Sequence, residues 1–160
     1  MNNLVVRKAI ENDRNWVIQL IKDEWASTRI ITRDIVHNIE NLPGLIAVQD
    51  NERLGLLIYN IKNKECEIIT LNSIIEGVGI GTALIYKLEE IATKKDCTRI
   101  WVITTNDNTD ALRFYQMKGF KIKKIYIDAI KKSRELKPEL PLLGMNYIEI
   151  RDEIELEKNL

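Results

Sequence analysis

Residues 76–81 read Glu76-Gly77-Val78-Gly79-Ile80-Gly81 and join a strand-like segment to a strongly helical one. Glycines allow a sharp turn, and they leave backbone amides open to a ligand because no Cβ stands in the way. The first amides of the following helix have no partner within the helix, and together with the helix dipole they attract phosphate oxygens. This stretch therefore predicts either a phosphate site or a tight connection that binds nothing.

Two other phosphate-binding patterns fail on spacing. A P-loop needs a lysine directly after its last glycine, whereas Thr82 follows Gly81 here. The dinucleotide fingerprint Gly-x-Gly-x-x-Gly ends on Thr82 when it is counted from Gly77, and on Leu84 when it is counted from Gly79. A nucleotide-binding α/β protein is therefore a disfavoured alternative.

The segments around this turn alternate between strand and helix patterns. Residues 80–94 carry apolar side chains at helical spacing, and the unbroken apolar run at 99–104 predicts a central strand that is covered on both faces. The other predicted strands are 4–10, 45–49, 54–60, 66–73, 120–128 and 147–156, and the other predicted helices are 16–25, 33–40, 110–118 and 129–136. This order predicts a mixed α/β sheet with helices on both faces.

Composition limits the classes of function. The 160 residues fit one domain over 1–160, and 24 Lys and Arg balance 24 Asp and Glu. The balanced net charge therefore gives no reason to expect binding to nucleic acid or to an anionic membrane. No apolar stretch approaches the ~20 residues of a membrane span, and no secretory signal is evident, so we expect a cytoplasmic protein.

The residues that commonly bind metals are few. Cys66 and Cys97 have no metal-like spacing and are expected to be reduced core thiols. His37 is the only histidine, which disfavours a zinc site and a Ser-His-Asp triad. Since His37 lies in an amphipathic stretch, we expect a surface or boundary residue, and we expect no metal.

A second motif follows the central apolar run. Its pattern is Asn-x-x-Ala-x-x-x-Tyr followed by Gly-Phe, and it is formed by Asn108, Ala111, Tyr115, Gly119 and Phe120. The two motifs, in this order, resemble those of the GCN5-related N-acetyltransferases (GNAT superfamily), whose glycine turn reads Gln/Arg-x-x-Gly-x-Gly/Ala. The stretches 105–119 and 150–158 resemble an uncharacterised bacterial branch of that superfamily.

This resemblance implies a fold and a reaction. The fold is a mostly antiparallel sheet flanked by helices on both faces, in which strands 66–73 and 99–105 splay apart and pantetheine inserts between them. The reaction is direct transfer of an acetyl group from acetyl-CoA to a primary amine of a small molecule or peptide. A non-catalytic acyl-CoA-binding regulatory module is the alternative.

The resemblance also implies which residues contact CoA. Backbone amides of the glycine turn would bind the pyrophosphate, residues 71–73 would pair with pantetheine, and Asn108 would bond the CoA arm or simply cap its helix. The implied contacts are Leu71, Asn72, Ser73, Gly77, Val78, Gly79, Ile80, Gly81, Thr82 and Asn108. Glu76 and Val78 stand where the family often has cationic residues, so any cationic side chain must come from elsewhere.

Two residues are implied as catalysts. Tyr115 would be the general acid that protonates the leaving sulfur, unless it only packs on the sheet. Glu67 would be the general base if burial raises its pKa, unless it is a strand-end residue in solvent. Strand alternation predicts Ile69 and Leu71 on the face of Glu67, with Thr70 and Asn72 opposite. Activity should then rise as Glu67 deprotonates and fall as Tyr115 ionises.

Several further residues carry weaker expectations. Asp152 could line the acceptor site but is more simply a structural pair, and Trp101 is most simply core. Residues 25–29 could form the rim of the acceptor pocket. The last strand carries the glutamates Glu149, Glu153, Glu155 and Glu157 on one face. If it were a free edge of the sheet, a homodimer would be possible.

Overall fold

A computed structural model describes residues 3–25 and 29–160. The α-helices are α1 (Arg14–Trp25), α2 (Ile80–Lys94), α3 (Thr109–Met117) and α4 (Ala129–Leu136). The strands are β1 (Val5–Lys8), β2 (Arg29–Thr32), β3 (Ile35–Asn38), β4 (Gly44–Gln49), β5 (Glu52–Lys62), β6 (Glu65–Ser73), β7 (Arg99–Thr105), β8 (Lys121–Tyr126) and β9 (Glu153–Asn159). Short 3₁₀ turns occur at Glu11–Asp13, Ile39–Asn41 and Met145–Tyr147.

Seven strands form one sheet in the order β1-β4-β5-β6-β7-β9-β8. Only the β6–β7 pair is parallel, and α2 makes the crossover between these two strands. The expected mixed α/β fold with a mainly antiparallel sheet is therefore confirmed. β7 lies inside the sheet between β6 and β9, but the expected cover on both faces is wrong, because Ile100 and Val102 are buried and the residues that alternate with them are only half-buried.

Two apolar clusters cover the two faces of the sheet. On one face, α2 packs Leu84, Leu88 and their neighbours against the sheet, and Tyr115 of α3 joins the same cluster. On the other face, Ile21 of α1 packs with a second cluster that includes Ile69 of β6. The sheet is thus the middle layer of the fold, and a ligand that binds between its strands must enter from one face or the other.

The expected helix at 33–40 is wrong, because this stretch forms most of a hairpin. Strands β2 and β3 pair antiparallel around a turn at Arg33 and Asp34, which have left-handed φ angles of 49° and 62°. Alternation buries one face of the hairpin and leaves Ile35, which we expected to point inward, 56% exposed. The spacing of Ile35 and Ile39 fits a helix as well as a strand, so the local pattern alone was ambiguous.

The last strand is shorter than expected and lies later in the chain. It begins at Glu153 rather than at residue 147, because Asn146 and Tyr147 adopt left-handed φ angles in a turn. β9 lies between β7 and β8, so its glutamates do not form a free edge. β9 is therefore unable to pair with a second copy of the chain through a free edge.

Residues 26–28, which make up most of the expected pocket rim, lie outside the described residues. The chain on either side of them is held by Lys137, whose buried Nζ donates to the Trp25 carbonyl at 2.6 Å and to the Arg29 carbonyl at 3.2 Å. Within residues 3–25 and 29–160, we find no helix that is both long and apolar enough to cross a membrane.

Candidate active site

A β-bulge in β6 changes which residues face each side of the sheet. Ile58 of β5 pairs with Thr70 and the next residue, Tyr59, pairs with Ile68, so Ile69 is an extra residue in β6. Glu67 therefore shares its face with Ile69 and also with Thr70 and Asn72, whereas Leu71 lies on the α2 face. The alternation that placed Leu71 beside Glu67 and Thr70 opposite it was wrong, because it assumed an unbroken strand.

Strands β6 and β7 separate beyond the bulge. Their parallel pairing runs from Glu65 and Arg99 to Ile68 and Val102, and it stops there although both strands continue. β6 keeps its pairing with β5 as far as Ser73. A gap therefore opens between β6 and β7, as the sequence resemblance implied, and backbone groups of β6 after Ile68 are left facing it.

The glycine turn enters α2 at the mouth of this gap. Gly77 and Gly79 have left-handed φ angles of 76° and 86°, a region that is unfavourable for residues with a Cβ. A Cβ at either position would meet no atom within 4 Å, so the turn borders open space. Gly79 caps α2 without a side-chain hydrogen bond. The amides of the first turn of α2 are thus free to bind an anion.

One cleft of about 670 Å³ brings the two motifs together. Its walls include most of the residues implied as CoA contacts, namely Leu71, Ser73, Gly77, Gly79, Ile80, Gly81, Thr82 and Asn108. Tyr115, Arg113 and Lys118 of the second motif also line it. Asn72 and Val78 do not, since the side chain of Asn72 turns to the other face and accepts a hydrogen bond from Thr70.

Asn108 both caps α3 and lines the cleft. Its side-chain oxygen accepts a hydrogen bond from the Ala111 amide at 3.1 Å, which fixes the start of α3. That oxygen retains a second acceptor site, and the side-chain NH₂ is free to donate. The capping role that we weighed for Asn108 is thus present, and it leaves room for a contact with a ligand.

Tyr115 lies at the buried end of the cleft. Its ring packs edge-on against Phe114 and Phe120, each with a centroid separation of 5.3 Å. Only 4% of the residue is exposed, and burial raises the pKa of the phenol well above its usual value. The hydroxyl therefore stays protonated at neutral pH.

Glu67 lies on the opposite face of the sheet, under the β2–β3 hairpin. Its Oε1 accepts a hydrogen bond from the Thr32 hydroxyl at 3.0 Å, and His37 Nε2 lies 3.8 Å from the same oxygen. Burial raises the pKa of Glu67 to about 7, and the Thr32 hydrogen bond opposes this rise. Glu67 is therefore a buried carboxyl rather than a solvated strand end.

A second cavity, of about 490 Å³, opens beside Glu67. Asn60, Glu67 and Trp101 are in register across β5, β6 and β7 and form its floor. Residues 35–38 of the hairpin, His37 among them, form part of its wall. Trp101 is consequently half-buried at a cavity rather than a core residue as expected, with the Arg99 guanidinium 5.1 Å from its ring centroid.

His37 is not the surface or boundary residue that we expected. It is 7% exposed, and its Nε2 lies 2.8 Å from the Thr32 hydroxyl. Burial lowers the pKa of His37, which favours the neutral imidazole. Misassignment of 33–40 as a helix concealed this position, because only the hairpin turns His37 and Thr32 to the same buried face.

Acidic side chains of β9 lie near enough to Glu67 to act on it electrostatically, namely Glu153 and Glu155. Arg99 donates to Glu155 at 2.9 Å and to Glu157 at 2.8 Å. Glu153 accepts from the Arg33 amide through Oε2, while its buried Oε1 has no hydrogen-bond partner among the described residues. Asp152 does not line either cavity and forms the structural pair that we considered simpler, with Arg151 at 3.0 Å.

Sequence reasoning missed the cationic side chains of the cleft. Arg113 and Lys118 occupy unspecified positions of the second motif, and only the packing of α3 beside the glycine turn brings them to the cleft. In the part of the chain that the structure describes, no group of three or more His, Cys, Asp or Glu side chains could hold a metal ion.

Comparison with known proteins agrees with this geometry. Residues 14–120 match the Acetyltransferase (GNAT) family. The uncharacterised protein YxbD of Bacillus subtilis strain 168 is 39% identical over 148 residues, which are 92% of this chain and 93% of YxbD. Among solved structures, the IAA acetyltransferase from Bacillus cereus has a TM-score of 0.76 at 24% identity, covering 98% of this chain and 99% of that one.

A Bacillus subtilis acetyltransferase solved in complex with CoA has a TM-score of 0.73 at 23% identity, and covers 98% of this chain and 99% of its own. At this identity the likeness shows the fold. The family match spans α1 to Phe120 and so contains both motifs, the bulged strand and the gap between β6 and β7. The chain therefore belongs to the acetyltransferase (GNAT) family of N-acetyltransferases.

Proposed function

We propose that this protein transfers the acetyl group of acetyl-CoA directly to a primary amine of a small molecule or peptide. The observation that carries this proposal is the cleft in which the glycine turn, the free end of β6 and Tyr115 meet. The CoA in the related Bacillus subtilis structure supports the same cosubstrate here. We also propose that residues 1–160 form one acetyltransferase domain that works in the cytoplasm.

In the proposed complex, the pyrophosphate lies on the amides from Gly77 to Thr82. The helix dipole of α2 adds to these hydrogen bonds. Glu76 and Val78 supply no positive charge there, and Arg113 and Lys118 take this role from the neighbouring helix. Pantetheine continues into the gap and pairs with the backbone of Leu71 to Ser73.

Tyr115 and Glu67 act on opposite sides of this gap. Acyl transfer needs a neutral amine, so Glu67 accepts a proton from the incoming ammonium, directly or through a water. The amine nitrogen then forms its bond to the acetyl carbon while the carbon–sulfur bond breaks. Tyr115 gives its proton to the leaving thiolate, and the second proton of the amine nitrogen restores the phenol through a water. Protonated Glu67 then releases its proton to solvent. No covalent enzyme intermediate is required.

The acceptor enters from the face that carries Glu67. The cavity floored by Asn60, Glu67 and Trp101 has room for a small amine or for the end of a peptide chain. Its carboxylate attracts the cationic amine, and its amide and indole contact the rest of the acceptor. CoA and acceptor would thus reach the gap from opposite faces of the sheet.

Calorimetry with acetyl-CoA, followed by a thiol-release assay over a panel of amines, tests the proposed function. The panel should contain amino sugars, polyamines, aminoglycosides and peptides with free α- or ε-amines. We expect saturable acetyl-CoA binding and thiol release with at least one class. Binding without release on any acceptor would favour an acyl-CoA-responsive regulatory module, and no binding would contradict the CoA cleft itself.

A further inference from the structure

The β2–β3 hairpin adds two side chains to the site of the proposed base. Thr32 and His37 lie on the hairpin face that is turned to the sheet, and both are buried. Thr32 Oγ1 lies 3.0 Å from Glu67 Oε1 and 2.8 Å from His37 Nε2. The imidazole, hydroxyl and carboxylate therefore form one hydrogen-bonded chain that ends at the wall of the acceptor cavity.

The single proton of the Thr32 hydroxyl fixes the direction of this chain. An ionised Glu67 can only accept, so Thr32 donates to it and its own oxygen must accept from His37. The donor is then Nε2–H of a neutral imidazole, and burial of His37 favours that neutral state. The chain supplies one oriented hydrogen bond to the carboxylate, and this bond is stronger to the ionised Glu67 than to the protonated one.

We propose that His37, acting through Thr32, positions the Glu67 carboxylate and favours its ionised form, so that the hairpin sets the pH at which the base becomes active. This inference rests on the proposed role of Glu67. Thr32 and His37 are positioning residues in this arrangement, because neither needs to touch the acceptor or acetyl-CoA.

Other charged groups around Glu67 do not replace this chain. Glu153 and Glu155 of β9 disfavour ionisation of Glu67 by like-charge repulsion, and Arg99 of β7 favours it. Arg99 is already bonded to three other carboxylates, those of Glu65, Glu155 and Glu157. Lys62 and Glu65 line the cavity that His37 and Glu67 share. Thr32 is thus the one side chain among the described residues that donates a hydrogen bond to Glu67.

The pH dependence of kcat/KM gives the first test, measured with an amine found in the panel. Thr32→Val keeps the shape of the side chain and removes the donor, and His37→Phe removes the ring nitrogens. Each substitution should move the acidic limb of the pH profile to higher pH by about one unit. A hydrogen bond to the carboxylate favours ionised Glu67, so its loss delays ionisation to higher pH.

Conservative variants serve as controls for the fold. Thr32→Ser keeps the hydroxyl, and His37→Gln can place an amide donor near the position of Nε2, so both should leave the limb close to its wild-type position. Thermal unfolding of each variant separates a loss of fold from a shift of the base. An unmoved limb in folded Thr32→Val and His37→Phe would overturn the inference.

Nitrogen-15 spectra of the single histidine give a second test that needs no turnover. We expect the Nε2-protonated neutral tautomer at neutral pH, and a change in its signals as Glu67 titrates that is absent in Glu67→Gln. The Nδ1-protonated tautomer, or identical titrations in both proteins, would overturn the chain. If the spectra agree but no amine is acetylated, the proposed function fails while the chain stands.

Discussion

Burial raises the pKa of both proposed catalytic residues. It raises the pKa of Glu67 to about 7, where a base is both available and strong enough near neutral pH. It raises the pKa of Tyr115 well above its usual range, so the phenol stays protonated but is a weaker proton donor than a solvated tyrosine. The fall in activity that we expected from ionisation of Tyr115 should therefore be absent below about pH 10, its ordinary range.

Removing the Tyr115 hydroxyl should affect turnover far more than cosubstrate binding. Tyr115→Phe keeps the edge-on packing against Phe114 and Phe120 and removes only the proton donor. We expect kcat to fall about 10²-fold, a typical contribution of general acid catalysis, with the Kd for acetyl-CoA nearly unchanged. Tyr86→Phe, on the exposed side of α2, is the matched control. Unchanged kcat in Tyr115→Phe would remove this residue from the mechanism.

Glu67 should lower the stability of the fold at alkaline pH. Its pKa is raised on folding, so the unfolded chain releases this proton first, and stability is lost as pH rises from the unfolded pKa to about 7. Glu67→Gln should therefore be more stable than the wild type by on the order of 1–3 kcal/mol at pH 8 and by much less near pH 4. Urea unfolding at both pH values measures this.

The exposed surface change Glu24→Gln is the control for that comparison, since it alters formal charge without touching a buried site. An equal gain for Glu67→Gln at both pH values would mean that packing, rather than ionisation, causes the effect.

At the scale of elements, two helices meet at the CoA cleft and bring opposite charges to it. The turn before α2 contributes Glu76, and α3 contributes Arg113 and Lys118. The position of α3 follows from its Asn108 cap and from the packing of Tyr115 and Phe114. In the proposed complex, recognition of phosphate would therefore depend on the packing of one helix beside the turn of another.

Changing these charges should alter acetyl-CoA affinity in opposite directions. Arg113→Ala should raise the Kd for acetyl-CoA about two- to fivefold, and the effect should shrink at high salt because the side chain is exposed. Glu76→Gln should lower the Kd, since it removes a negative charge beside the pyrophosphate. Lys121→Ala, on the edge strand β8, is the control. Equal changes in Arg113→Ala and Lys121→Ala would indicate a general effect of net charge.

The elements also show where prediction from sequence ended. The glycine turn, α2 and the Tyr115 motif were identified because their residues act through local geometry and fixed spacing. The hairpin at 29–38 was not, because the spacing of Ile35 and Ile39 fits a helix as well as a strand. The bulge at Ile69 was not, because it is defined by the register with β5 and not by the sequence of β6 alone. Glu67 was found as a candidate, whereas its partners Thr32 and His37 were concealed by the wrong assignment of one segment.

For the whole molecule, the sheet acts as a partition between two cavities. The cleft beside α2 and the cavity under the hairpin lie on opposite faces, and the gap between β6 and β7 opens beyond the paired Ile68 and Val102. The fold class followed from the order of elements along the chain. The order of elements did not predict which side chains of β6 lie on each face of the sheet. A single extra residue in β6 reverses the alternation of side chains after it.

The bulge at Ile69 has a consequence for product inhibition. Since it turns Leu71 to one face while Glu67 keeps the other, free CoA and the acetylated amine would leave by separate exits. CoA should then inhibit competitively against acetyl-CoA and non-competitively against the amine, in initial-rate measurements with each substrate varied in turn. Competition between CoA and the amine would contradict this pair of separate exits. In the proposed mechanism, the kinetic independence of the two substrates would thus depend on one additional residue in one strand.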